Sequence, residues 1–584
     1  MGFAIVLASH QFGLQVKTAK AQATKQKSST AKGAASRWKV EADPPAEPIK
    51  IPYAAGYSIT VKTGEGVELS SPVGNFISLG KNDRDNSIRE IYDLRTQKKV
   101  GELAGKVFVH HDAKFSQDGQ FLLTESAAAP AAANVQTRSI DIYSFKTSSR
   151  VQTIVASPTP AFIGQLGFAK GNQPVTARYI GQGDMISVWD IQTGKLAREI
   201  LGPPSFRREA ATISPGGRYL ALVSNDSSLI VYDLTTGTKA GELLIPKTDA
   251  VYLSPEGLSF SPDGTEIAGL FTGGTESKLL VWDLVKCEIV VDHTLVGNPK
   301  LNIPGAQSYK GRAVDWLPDG SAWLLFGHSL VDRAGGRIVW NFQSQPGDFS
   351  PDPRMLIDED HMIITTGPRT ARRIEIATLP WKTIDGALKA IEANTPAHVK
   401  PGQAVSLVVD VGNLRFGTPA QTREGIIKSL TERLKLEGIP VADGQATVLH
   451  IRYGEAAGEV LREYRSNGPM MGFGGTPTGR TVQATKALCS VAWELTGQKK
   501  PLWASQLDFD PSSLSIRGDA SDAKAREAAF GVLQIRLAGV QFPYFIPKAN
   551  TVASLPGTSV LGSSTVPKTN KATTKPTTRG RTNR

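Results

Sequence analysis

Two cysteines stand in 584 residues, Cys287 and Cys489. They are too far apart in sequence for metal-ligand spacing and too few for a disulfide framework. Both fall in apolar runs and read as small buried hydrophobes. Long apolar runs are also missing. None reaches the roughly 18 to 20 residues that a spanning helix needs, so no transmembrane segment is expected. Catalytic signatures are absent as well: no Gly-x-Ser-x-Gly elbow, no Walker loop and no His-Glu-x-x-His. What is plentiful is turn-forming residues, with 57 Gly and 36 Pro beside 40% hydrophobic and 21% charged residues. That composition reads as globular and rich in short connections.

The net charge of +12 invites a nucleic-acid reading until it is mapped along the chain. Residues 1–50 hold 8 Lys and Arg against 3 acids, and residues 546–584 hold 7 against none. Residues 51–545 carry 51 of each sign. The basic excess therefore belongs to the tails, and a neutral centre is a poor phosphate binder. No specific nucleic-acid partner is expected.

The stretch 256–296 contains the unit from which the rest is built. An apolar run ends in Ser261-Pro262-Asp263-Gly264, a turn set by Pro and closed by Asp-Gly. Ile267 to Phe271 follows, then a Gly-rich break, then Leu279 to Leu284 and Ile289 to Val291. Four short strands and three turns make an antiparallel meander, which cannot bury its faces alone.

The unit recurs. An aromatic followed by a polar residue marks the third strand at Tyr92-Asp93, Tyr143-Ser144, Trp189-Asp190, Tyr232-Asp233, Trp282-Asp283 and Trp340-Asn341. The polar members are 51, 46, 43, 50 and 58 residues apart. The turn before the second strand repeats at Ser71–Gly74, Ser116–Gly119, Ser214–Gly217, Ser261–Gly264 and Leu317–Gly320. A four-strand unit near 45 residues is a propeller period. On these motifs the chain resembles the WD40 and WD40-like β-propellers over about residues 55–381. The resemblance implies a seven-bladed wheel, with six or eight blades compatible with the spacing. The family's Gly-His dipeptide at the outer strand is missing; Gly327-His328 alone occurs, and it is placed in a second strand. Blades held by apolar packing rather than by a His–Asp network are the consequence.

In chain order, residues 1–50 read as a disordered or signal-like segment. Phe3 to Ala8 is a short apolar core and Ala19-Lys20-Ala21 a cleavage-like site, but a positive n-region is missing. A signal peptide and a disordered tail are both compatible; export to the periplasm is preferred over a cytoplasmic location. Tyr57 to Lys62 alternates as a strand and is expected to pair with the last blade as its outer strand, closing the ring without a free edge. Residues 382–404 read as a linker. Residues 405–547 form a second, α+β domain in the order β-α-β-β-β-α, with one antiparallel sheet and two helices on one face. Thr418, Pro419 and Gln421 open its first helix, whose stripe is Ile426, Ile427, Leu430 and Leu434. Residues 548–584 read as a disordered basic tail.

Site candidates are few. Met470, Met471 and Phe473, on the Gly-rich loop 466–475, are adaptable apolar residues able to dock into a partner groove. His110-His111, Asp83 to Ser87 and Asp358-Glu359-Asp360-His361 read as strand or loop polarity rather than ligand sets. No catalytic residue, metal or cofactor is assigned. The expected function is a non-enzymatic protein–protein interaction scaffold. Two other readings stay open: an envelope-associated propeller resembling TolB-like proteins, and a propeller hydrolase using acids at the central channel.

Overall fold

The computed structural model describes residues 40–44, 58–61, 65–68, 76–81, 87–94, 96–105, 114–127, 138–147, 149–155, 163–179, 184–204, 206–225, 228–246, 254–273, 276–296, 312–343, 354–358, 360–367, 372–465, 476–509 and 521–561. The chain is mainly β, with many small antiparallel sheets and few helices. Among the described residues no helix is long and apolar enough to cross a membrane. Contacts divide the chain into two compact units. The larger takes residues 39–405, 432–441 and 538–584; the smaller holds 406–431 and 442–537.

Among the described residues, seven small sheets follow one another in the larger unit, the first six pairing their strands in sequence order. The first runs Glu65–Glu68, Phe76–Lys81, Ser87–Asp93 and Lys98–Gly105. The second has Lys114–Phe115, Phe121–Ala127, Arg138–Ser144 and Ser149–Val155, and the third Ile163–Ala169, Gln173–Tyr179, Asp184–Trp189 and Leu196–Leu201. The fourth has Phe206–Ile213, Tyr219–Ser224, Ser228–Asp233 and Thr238–Leu244, and the fifth Ser254–Phe260, Glu266–Gly273, Glu276–Asp283 and Glu288–Leu295. The sixth has Val314–Trp316, Ala322–Leu325, Ser329–Asp332 and Ile338–Gln343. In the seventh, Met355–Leu356, His361–Thr366 and Arg372–Thr378 are completed by Ser58–Val61, antiparallel to Arg372–Thr378 with Ile59 opposite Ile374. The pairing with the last sheet expected for Tyr57 to Lys62 is thus present over Ser58–Val61.

The recurring residues have recurring jobs. Gly119, Gly217, Gly264 and Gly320 all adopt φ between 68° and 80°, and each N–H returns to the carbonyl three residues back. Asp190, Asp233 and Asp283 each use one carboxylate oxygen to accept the backbone N–H groups two and three residues on. The signature Asp is therefore a local turn cap, which accounts for its persistence without a His partner. Just before each signature aromatic the register slips by one residue, at Ile91/Tyr92, Ile142/Tyr143, Val188/Trp189, Val231/Tyr232 and Val281/Trp282. Such a bulge twists the strand pair.

That bulge corrects the reading of the sixth sheet. There it falls at Leu330/Val331, so Val331-Asp332 is the third-strand signature and Trp340-Asn341 lies in the fourth strand. Gly327-His328 belongs to the tight connection before the third strand, where Phe326 and Gly327 have φ of 49° and 61°. Beyond the fourth strand runs a fifth, Gly557–Val560, parallel to it, with Trp340 Nε1 donating to Ser559 Oγ at 3.0 Å. Residues 549–561 are consequently not the disordered tail expected of them. The expected linker 382–404 is likewise structured: it carries helix α1 (Trp381–Glu392) and a strand, Ala397–Val399, paired with Ile546–Pro547.

Apolar clusters fill the spaces between successive sheets. Phe115, Leu122 and Tyr143 meet Ile91; Val175, Ile186 and Val188 meet Leu220, Leu222 and Ile230; Leu279 and Val281 meet Trp316 and Trp323. A further cluster joins the seventh sheet to the first, with Ile59, Ile363 and Ile374 against Ile77 and Leu79. Burying each such side chain contributes about 1.5–3 kcal/mol, so the faces of neighbouring sheets supply the main cohesion.

From residue 406 onward the elements come in the expected order: Ser406–Val411, helix α2 (Pro419–Leu436), Thr447–Arg465, Thr476–Leu495, Trp503–Gln506 and helix α3 (Asp522–Gly539). These four strands pair in sequence, but Ser406–Val411 runs parallel to Thr447–Arg465. The sheet is thus mixed, because a helical crossover returns the chain in the same direction. Thr418 Oγ1 accepts the Gln421 N–H, and Gly438 at φ 73° ends α2. Ile426, Leu430 and Leu434 are buried, whereas Ile427 is partly exposed. In α3 the buried stripe is Ala525, Ala529, Leu533 and Leu537, one turn apart.

Candidate functional site

Strand alternation gives the smaller unit's sheet two different faces. On one, Leu449, Ile451, Tyr453, Cys489, Val491 and Trp493 are buried. Helices cover this face: Arg423 of α2 donates to the Val409 carbonyl, and Phe530 of α3 meets Tyr453 edge-on. Burial pushes the Cys489 thiol up to about 12, so it is held as an inert thiol. The other face carries Asp410, His450, Arg452, Ser490, Glu494 and Gln506.

The polar residues of that face are wired together. His450 Nε2 lies 2.7 Å from Asp410 Oδ2, and Nδ1 lies 2.9 Å from both Glu494 Oε2 and Arg452 Nη2. Arg452 Nη2 also donates to Glu494 Oε1 at 3.0 Å. His450 thus stands between the two acids, with Arg452 beside it on the same strand. Burial works to raise the Glu494 carboxyl, but hydrogen bonds from His450 and Arg452 outweigh it and hold the group below the usual carboxylate range. Beside this ladder lies a shallow, open groove of about 360 Å³ that includes Asp410, Arg452, Leu488, Ser490 and Gln506. Its mixture of both charges, amide, hydroxyl and aliphatic surface suits a polypeptide segment better than a single anion.

Under the helices a second network fixes the loop after Val411. Glu455 accepts from Tyr453 Oη at 2.7 Å, Arg526 Nε at 2.7 Å and the Arg415 N–H at 2.9 Å. Arg526 reaches Thr422 Oγ1 on α2, and Arg415 reaches the Ala484 carbonyl and Thr485. Burial, then the bond to Glu455, drives the Tyr453 phenol far above its usual range.

Met470, Met471 and Phe473 lie outside the described residues, as do His110, His111 and Asp83 to Asn86. The strands flanking 466–475 are described and pair as far out as Arg465 and Thr476. Asp358 binds His361 Nδ1 at 2.9 Å and the Asp360 N–H at 2.8 Å, an arrangement that spends its carboxylate locally. Among the described residues no group of three or more His, Cys, Asp or Glu is placed to hold a metal ion; the ladder's acids approach different nitrogens of His450 rather than one point. Cys287 is not the buried hydrophobe expected. It is half-buried in a turn at φ 59°, where equivalent turns carry Gly194 and Gly237.

The ladder escaped sequence reading because its members come from three strands. Only the spacing of His450 and Arg452, two apart on an alternating strand, signals a shared face. Neither family models nor curated proteins yield a match to this chain.

Proposed function

We propose that the seven small sheets are the blades of a WD40-like propeller and that the chain is a non-enzymatic protein–protein interaction scaffold, with the α+β unit as its accessory domain. The observation that carries the reading is the seventh sheet: it is completed by Ser58–Val61, the first strand among the described residues, and packs on the first sheet. A succession of meanders whose last member joins its first supports a closed ring. Contacts between the first strands of successive sheets, from Lys114–Phe115 through Ile163–Ala169, Phe206–Ile213 and Ser254–Phe260 to Val314–Trp316, support the same arrangement. Blades so placed offer wide loop faces to protein partners, and the polar sheet face of the smaller unit adds a second surface of peptide-binding character.

The hydrolase reading has one observation behind it. Asp315, on the first strand of the sixth sheet, is buried, and burial pushes its carboxyl up to about 6. Among the described residues its charged neighbour is Arg312 at 3.5 Å, not a second acid, so these residues do not supply the paired carboxylates that glycoside hydrolysis uses. We keep the scaffold reading. Its test is affinity capture with the full chain carrying His450→Ala and Arg452→Glu. Partners retained by wild type and lost by the variant support the surface. An identical capture profile removes that face from the function, and turnover of a sugar or ester library by wild type defeats the non-enzymatic reading.

A further inference from the structure

Three of the repeated corners close themselves with their own aspartate. In the second sheet Asp118 accepts from Ser116 Oγ at 2.6 Å and the Gln120 N–H at 3.0 Å. In the fifth, Asp263 accepts from Ser261 Oγ at 2.6 Å and the Thr265 N–H at 3.1 Å. In the sixth, Asp319 accepts the Ser321 N–H at 2.9 Å. The fourth sheet has Ser214-Pro215-Gly216-Gly217-Arg218, with glycine where the aspartate stands elsewhere.

The missing carboxylate comes from the N-terminal segment. Asp43 Oδ2 accepts from Ser214 Oγ at 2.6 Å and from the Arg218 N–H at 2.8 Å, the same two bonds at the same two atoms. Its backbone is held as well: the Asp43 carbonyl accepts the Gly216 N–H at 2.8 Å, and its N–H donates to the Asp263 carbonyl at 3.1 Å. Two residues earlier, Glu41 pairs with Arg218 at 2.5 Å and donates its N–H to Tyr219 Oη at 3.2 Å. Val40 is 3% exposed. Glycine at 216 is what makes room, since a Cβ there would run into the Asp43 carboxylate. Residues 40–44, expected as part of a disordered leader, are therefore a docked strap.

We propose that the fourth-sheet corner is a binding site for an extended peptide of the form apolar-Glu-x-Asp, and that residues 40–43 are its resident occupant. The specificity lies in Arg218 for the Glu, in Ser214 Oγ and the Arg218 N–H for the Asp, and in main-chain bonds from Gly216 and to Asp263. A partner peptide of that chemistry competes with the strap for the same atoms. The proposal rests on the adjacent corners of the fourth and fifth sheets and does not depend on whether the seven sheets close into a ring.

The experiment uses the full chain, a synthetic Val-Glu-Ala-Asp-Pro peptide and amide hydrogen exchange. Wild type is expected to protect the amides of Gly216 and Arg218 and not to bind added peptide. The double variant Glu41→Ala, Asp43→Ala is expected to lose that protection and to regain it on adding peptide. A peptide with Asp replaced by Asn is expected to bind at least about tenfold more weakly, because a charge-assisted acceptor is lost. Gly216→Asp supplies its own carboxylate; it is expected to keep the Arg218 amide protected while residues 40–44 exchange freely. Unchanged protection in the double variant, failure of the peptide to restore it, or a strap still protected in Gly216→Asp would each overturn the assignment.

Discussion

At the scale of single residues, the repeated positions are explained by backbone geometry more than by side-chain contact. Asp190, Asp233 and Asp283 recur because a carboxylate two residues before an exposed N–H stabilises a turn. The corners were legible for that reason: their demands are local, and local demands show in spacing. Asp315 is the opposite case. It sits on a strand between Val314 and Trp316, and only burial makes it unusual. Its folded carboxyl titrates near 6, above the ordinary 3.8, so the folded state holds a proton more tightly than the unfolded chain. The resulting stability is fully present below about pH 4 and is lost as pH rises through 6. Asp315→Asn is therefore expected to stabilise the chain at pH 7 to 8, by at most about 3 kcal/mol. Against wild type, urea unfolding should show that gain at pH 8 and none at pH 4. Trp340-Asn341 was misread at this same scale: an aromatic–polar pair imitates the signature, and only the bulge at Leu330/Val331 distinguishes the true one.

At the scale of elements, the smaller unit's order was readable because caps and alternation are written within each segment. The parallel pairing of Ser406–Val411 was not, since it depends on where α2 returns the chain. The two polar networks were invisible for a related reason: Asp410, His450 and Glu494, like Arg415, Glu455 and Arg526, meet only after the sheet forms. Glu455 is the buried centre of its network, with Arg526 mostly enclosed beside it. Glu455→Ala leaves Arg526 and the Arg415 N–H without their acceptor and is expected to cost about 3–5 kcal/mol. Glu455→Gln, which keeps an acceptor oxygen, should cost less. Denaturant midpoints of the two variants measure the difference, and equal midpoints would show that the carboxylate charge, not the acceptor oxygen alone, holds the network.

At the scale of the whole molecule, the consequential contact is between chain segments far apart in sequence. Ser58 faces Glu375 across the antiparallel pair. Ser58→Cys with Glu375→Cys is expected to form a disulfide on oxidation, since opposed strand residues fall within bridging distance. Closing so long a loop is expected to raise stability by up to about 5 kcal/mol in the chain-entropy account. Non-reducing electrophoresis and thermal unfolding check both halves of the statement, and free thiols after oxidation would refute the pairing. The parallel strand Gly557–Val560 has a bearing on how the chain is made. Ile338–Gln343 emerges from the ribosome more than two hundred residues before the segment that covers its outer side. At ordinary rates of synthesis that interval is roughly 10 to 40 s. Through that interval the nascent strand lacks this partner, and its unpaired edge is then open to pairing with another chain.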